Sequence, residues 1–122
     1  MRILVVDDNQ SIRSGVAKIL STEADLEVCG EAKDGAEAIQ KAQELRPDLV
    51  LLDISMPGLD GLATARILSR TIPHARILIM SQHDPVHVLP GALQAGAHGC
   101  VDKSRLGTDL LPAIGNSRSQ IP

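Results

Sequence analysis

Four bulky apolar residues in a row, Leu49-Val50-Leu51-Leu52, close on a carboxylate, Asp53, and a turn-rich loop follows at once. A run without polar alternation fits a strand covered on both faces, as in a parallel sheet with helices above and below. Such a strand releases its last residue at the carboxyl edge, where open α/β sheets place their chemistry. The pattern recurs along the chain. Arg2-Ile3-Leu4-Val5-Val6 ends on Asp7-Asp8-Asn9, and the apolar run over residues 75–80 ends on Ser81.

Two weaker strand signals complete the set. Residues 26–32 alternate, with Val28, Gly30 and Ala32 on one side and Glu27, Cys29 and Glu31 on the other, which predicts a half-exposed edge strand. A short strand over residues 99–102 ends on Lys103. Between the strands the apolar period changes to that of a helix. Ile12, Val16, Ile19 and Leu20 form one stripe, Ala38, Ile39, Ala42 and Leu45 a second, and Ala65, Leu68 and Ile72 a third. Asn9 or Ser11, Asp34 and Asp60 stand where helix caps are needed. A last helical stretch is expected over residues 106–114, with Thr108 as its cap and Pro112 in its first turn.

This order is βα repeated five times, and right-handed crossovers turn it into a parallel sheet with helices on both faces. The three wholly apolar strands belong at the centre. The expected fold class is therefore α/β, a flavodoxin-like (βα)5 doubly wound sandwich in the order 2-1-3-4-5. Cys29 and Cys100 then lie on opposite edges, as buried free thiols with no disulfide between them.

At 122 residues the chain fits one domain. Its net charge of −3 gives no electrostatic case for binding nucleic acid. No apolar run approaches the roughly 18 residues of a membrane span, and no signal peptide is evident. We therefore expect a cytoplasmic protein. Phe, Tyr and Trp are absent, so the core must come from aliphatic side chains.

In the expected topology Asp7, Asp8, Asp53, Ser81 and Lys103 converge from four segments on one edge. Each alone reads as an ordinary cap or turn residue, but all five together do not. Clustered carboxylates repel unless a cation relieves them, and an all-oxygen set with room for water suits Mg²⁺. A carboxylate can also attack phosphorus, with metal and ammonium neutralising charge on the transferring group.

The motifs carry a resemblance over nearly the whole chain. VVDDN at positions 5–9, LLDISMPGLDG at 51–61, IMS at 79–81 and AGAHGCVDK at 95–103 resemble the receiver domain of two-component response regulators. ALQAGA and LLPAI look most like receivers that precede a helix-turn-helix (LuxR-type) output domain. The resemblance implies Asp53 as phosphoacceptor, Ser81 as switch hydroxyl and Lys103 as the phosphate-pairing lysine. It implies Mg²⁺ held by Asp8, Asp53 and the Ser55 backbone carbonyl, with Asp7 acting through water. Met56 and Pro57 would shape the loop, and the Ser55 side chain would face the site. A sensor histidine kinase is the implied partner, with a possible homodimer on phosphorylation, DNA contact only through an output domain outside this chain, and no membrane association. Residues 1–115 would form the receiver, and 116–122 a tail or the start of a linker.

Three features depart from that family's pattern. Cys100 stands where an aromatic residue is usual, Gln82 follows Ser81 where a small residue is common, and Pro90-Gly91 falls inside the fourth helix. An interior Pro costs ~3 kcal/mol and Gly about 1 more, which predicts a shortened, mobile helix starting late or kinked there. The four histidines, including His83 and His87, read as structural or exposed, and Arg66, Arg70 and Arg76 as a solvated face. An aspartyl-phosphate phosphatase lacks its one-residue gap at Asp7-Asp8, and a flavodoxin lacks its phosphate loop and stacking aromatics. A phosphorylation-independent docking module is the other alternative.

Overall fold

The computed structural model describes residues 1–55 and 60–119. Five strands, β1 (Arg2–Val6), β2 (Glu27–Ala32), β3 (Leu49–Asp53), β4 (Arg76–Ser81) and β5 (Gly99–Asp102), form one sheet in the order β2-β1-β3-β4-β5. Every pairing is parallel. The helices are α1 (Gln10–Leu20), α2 (Gly35–Leu45), α3 (Gly61–Thr71), α4 (Pro85–Gln94) and α5 (Leu106–Ser119), the last preceded by a 3₁₀ turn at Lys103–Arg105. The flavodoxin-like order read from the sequence is the order observed.

Alternation along each central strand divides the core into two layers. Leu4, Val6, Val50, Leu52, Ile77 and Ile79 face α2, α3 and α4, where Ala38, Ala42, Ala65, Leu68 and Ala92 receive them. Ile3, Val5, Leu49, Leu51, Leu78 and Met80 face α1 and α5, against Val16, Leu20, Leu110 and Ile114. Side chains that large contribute about 1.5–3 kcal/mol each when fully buried, so aliphatic residues supply the drive that rings give elsewhere.

Strand β2 departs from simple alternation. Ile3 pairs with Val28 but Leu4 pairs with Gly30, so Cys29 is an extra residue in a bulge. Val28 consequently packs in the α1/α5 layer and Ala32 in the α2/α3/α4 layer, not on one shared side. A Cβ on Gly30 would lie 2.6 Å from Leu45 Cδ1, so the strand is closely covered by α2 there.

Asn9, Asp34 and Asp60 cap their helices as the sequence suggested, each side chain accepting a first-turn N–H. The fourth helix differs from expectation. It begins at Pro85 behind the Asp84 cap and runs through Pro90 to Gln94, so it neither starts late nor shortens appreciably. Pro90 is exposed, and the Val86 carbonyl it deprives of a helical donor belongs to a residue that is 67% exposed. Packing of Val88, Ala92 and Ala95 into the core holds the helix despite Pro90 and Gly91. Pro112 likewise sits inside α5, on an exposed face, because the helix starts at Leu106 and not at Thr108. That helix continues through residues 116–119, and Ser117 is buried.

Cys29 and Cys100 are free and half-buried on opposite edge strands, rather than fully enclosed. Burial pushes the Cys100 thiol up to about 11, so it stays protonated at neutral pH. Arg76 lies on β4 and not on the α3 face that carries Arg66 and Arg70. His98 is structural. Its backbone N–H donates to Ile77 O (2.7 Å), and its Nδ1 accepts the Ile77 N–H (3.1 Å), which closes the turn into β5. Burial, then the Arg76 charge, hold this ring below its ordinary 6.5, and the acceptor role of Nδ1 also needs the neutral form. The folded value is depressed, so stability is full above 6.5 and falls as pH drops from there toward the folded value. His98→Asn, which retains an acceptor, should flatten that acid loss in melts at pH 8 and 5.5. His98→Ala should lower stability at both by about 1 kcal/mol. An unchanged acid slope in His98→Asn would rule out the ring as its source.

Candidate functional site

Asp7 and Asp8 follow β1 and Asp53 ends β3. These strands flank the point where the order reverses, the crevice in which such sheets bind ligands. The two neighbours differ sharply: Asp7 is 0% exposed, while Asp8 is open to solvent. Asp7 is fixed on several sides. Its N–H donates to Ala32 O (3.0 Å), its Oδ1 accepts from Asn9 N–H (2.9 Å), and its carbonyl accepts from Arg13 (2.6 Å). Arg13 in turn donates to Glu31 at 3.0 Å.

Asp53 is 1% exposed, and its Oδ1 accepts the Ser55 N–H at 3.0 Å. Gly61 braces the same segment. A Cβ there would stand 2.4 Å from Ile54 Cα and 2.6 Å from Asp53 O, so only glycine lets α3 start against this backbone. Lys103, at the end of β5, reaches across to place Nζ 2.8 Å from Asp7 Oδ2 and 3.5 Å from Asp53 Oδ1. The first is a close ion pair between two buried groups. Ser81 is buried at the end of β4, and its Oγ accepts the His83 N–H (3.0 Å), leaving the hydroxyl proton to donate.

The electrostatics follow from burial and charge. Burial first, and the Asp7 charge second, raise the Asp53 carboxyl above its ordinary 3.8, against the opposing Ser55 N–H and Lys103. Burial works against the Lys103 ammonium, but Asp7 and Asp53 outweigh it and the group is held above 10.5. The ammonium is thus the internal counter-ion of a carboxylate pair. Oxygens of Asp7, Asp8 and Asp53 lie within 4.8 Å of one another. That set is all oxygen, acidic and open on the Asp8 side, and it fits a hard divalent cation.

The structure therefore brings Asp7, Asp8, Asp53 and Lys103 together and sets Ser81 on the adjoining strand end. Ser55 contributes its N–H, and its side chain is exposed. Met56 and Pro57 lie outside the described residues. Gln82 is exposed beside Ser81, and His83 and His87 are exposed with no third ligand among the described residues. Sequence reasoning missed Arg13 and the bracing role of Gly61. A helical arginine six residues after Asp7 carries no motif. The Asp60-Gly61 pair signalled a helix start, but the backbone it touches is distant in mechanism, not in sequence.

An open α/β domain with a lysine-bridged acidic crevice at the strand reversal is the class that fold and site define. A family model for the response regulator receiver domain matches residues 3–114, and the chain belongs to that family. The response regulator protein VraR of Staphylococcus saprophyticus is 32% identical over 114 residues, which is 93% of this chain and 54% of that protein. This chain thus spans about half the length of the curated relatives it matches. The response regulator domain of Thermotoga maritima CheB superposes with a TM-score of 0.89 at 29% identity, covering 100% of this chain and 98% of that one. The receiver domain of a putative NarL regulator from Mycobacterium tuberculosis gives 0.88 at 35% identity, covering 98% and 96%. Among the described residues no helix is long and apolar enough to cross a membrane.

Proposed function

We propose that this receiver works as a phosphorylation-dependent switch in which Asp53 accepts a phosphoryl group from a sensor histidine kinase. The observation that carries this reading is Lys103 Nζ set between two buried carboxylates, Asp7 and Asp53, at the strand reversal. An Asp53 carboxylate oxygen forms the bond to phosphorus as the bond to the donor nitrogen breaks, and the donor imidazole keeps that electron pair. Lys103 then has a phosphoryl oxygen to pair with in place of Asp53, and the Ser81 hydroxyl a new acceptor. Asp8, Asp53 and the Ser55 carbonyl, with Asp7 through water, would hold Mg²⁺. When bound, the cation neutralises charge on the transferring group. Asn9, Arg13 and Gly61 keep the carboxylates in register.

The domain promotes its own phosphorylation and slow dephosphorylation and turns over no external substrate. The receiver unit is read from the sequence as residues 1–115, with 116–122 a tail or the start of a linker; α5 running to Ser119 and the burial of Ser117 support carrying the unit past 115. The resemblance to VraR and NarL supports a cytoplasmic transcriptional regulator, dimerising on phosphorylation and contacting DNA through an output domain outside this chain. Treatment with Mg²⁺ and acetyl phosphate should add one phosphoryl mass to the intact protein, and Asp53→Asn should gain none. Equal uptake by the variant, or none by the wild type, would remove Asp53 from the role.

A further inference from the structure

A cationic side chain holds the backbone of the acidic crevice from outside it. Arg13, one turn into α1, has a side chain only 17% exposed. Its Nη1 donates to the Asp7 carbonyl (2.6 Å) and its Nε to Glu31 Oε1 (3.0 Å). That carbonyl belongs to the peptide that enters Asp8. The peptide that leaves Asp8 is held as well, because the Asn9 N–H donates to Asp7 Oδ1 at 2.9 Å. Both peptide planes flanking Asp8 are therefore pinned, and its exposed carboxylate keeps only the side chain's own rotations. Glu31 is anchored in turn. It pairs with Val5 in the sheet, and its carbonyl accepts from Lys41 on α2.

Coulomb's law alone makes a guanidinium beside this cluster a hindrance to a divalent cation. An ion pair whose Glu31 end is 47% exposed also adds little to folding. What the geometry supplies is direction. We infer that Arg13, held in place by Glu31, is a positioning residue for Mg²⁺: it fixes the Asp7–Asp8 peptide so that the Asp8 carboxylate is preorganised, and it strengthens binding of the ion despite its own positive charge. This inference rests on the Mg²⁺ site proposed above at Asp7, Asp8 and Asp53, whose oxygens lie within 4.8 Å of one another. Without the guanidinium the peptide is free to turn, and ordering Asp8 must then accompany metal binding. Charge and positioning thus act in opposite directions at one residue, which makes them separable.

The test is Mg²⁺ titration of the ¹⁵N-labelled protein at physiological ionic strength, followed by the amide shifts of Asp8, Asn9 and Asp53. Arg13→Met should bind Mg²⁺ about 10-fold more weakly than wild type, whereas deletion of a positive charge alone predicts tighter binding. Glu31→Gln keeps an acceptor for the Arg13 Nε–H and should stay within about 2-fold of wild type, while Glu31→Met should weaken binding about 5-fold. Both Glu31 variants lose the same charge, so an effect of charge alone would make them equal. At saturating Mg²⁺, phosphoryl uptake from acetyl phosphate by Arg13→Met should return to near the wild-type rate. A variant that is merely misfolded would not recover there, and the Glu31 pair then still decides the matter. Mg²⁺ binding by Arg13→Met as tight as wild type or tighter, equal affinities in the two Glu31 variants, or no Mg²⁺ binding by the wild type would each overturn the inference. Wild type that binds Mg²⁺ but takes up no phosphoryl group would remove the switch reading and leave the positioning role to stand on the affinities.

Discussion

Replacing Lys103 by methionine is expected to destabilise the metal-free protein by about 2–3 kcal/mol at pH 8, and by much less near pH 4. The value sits below the ~3–5 kcal/mol for a fully buried broken pair, because the Asp8 side of the crevice is open to water. In the wild type the ammonium answers Asp7 at 2.8 Å and Asp53 at 3.5 Å. Methionine keeps most of the stem's packing but leaves two buried carboxylates facing each other. Asp53 is already held above 3.8 by burial and by Asp7, and loss of the lysine moves it further up. A carboxyl whose folded value is raised binds a proton that the unfolded chain has released. Stability therefore falls as pH rises from the unfolded value through the folded one. Asp53→Asn in the Lys103→Met background removes one charge and should restore most of the loss, and added Mg²⁺ should do the same in the single variant. Denaturant titrations at pH 4 and 8 decide it. A defect that is constant with pH and untouched by Asp53→Asn would assign Lys103 a packing role instead.

Gly61→Ala should be comparably severe, costing about 3 kcal/mol and slowing phosphoryl uptake along with it. The added carbon would meet Ile54 Cα at 2.4 Å and Asp53 O at 2.6 Å, and both are backbone atoms. No rotamer change relieves such a clash. Either α3 lifts away or the Asp53–Ser55 segment moves, and the second outcome breaks the Ser55 N–H bond that holds the carboxylate. Gly15→Ala is the matched control. Beyond its chain neighbours and the backbone of its own helix, nothing lies within 4 Å of that added carbon, and α1 should gain up to about 1 kcal/mol from the better helix former. If Gly61→Ala melts with the wild type and takes up phosphoryl at the wild-type rate, the bracing contact is unimportant.

Most of the fold was legible because its signals are local and redundant. Runs such as Leu49–Asp53 and Arg2–Val6 admit little besides a doubly covered strand, and Asn9, Asp34 and Asp60 mark helix starts by chemistry that needs no tertiary context. The crevice was legible for a related reason: strand ends are fixed by register, so residues at strand ends are brought together by topology alone. What failed depended on packing between distant segments. Pro90 and Pro112 were weighed by propensity, but core contacts of Val88, Ala92 and Leu110 keep their helices going, and both prolines face water. The Cys29 bulge leaves the alternating pattern of β2 looking regular. The register against β1 and the different coverings of Val28 and Ala32 reveal it.

That bulge divides one strand into two differently constrained pieces. Up to Val28, the position of each residue answers to the layer beneath α1 and α5. From Gly30 onward it answers to α2, through Ala32 O to the Asp7 N–H, and through Glu31 to Arg13 on α1. Cys29 is the point where the strand passes from one layer to the other. The layer under α1 and α5 and the backbone that anchors Asp7 thus draw on different residues of the same six-residue strand.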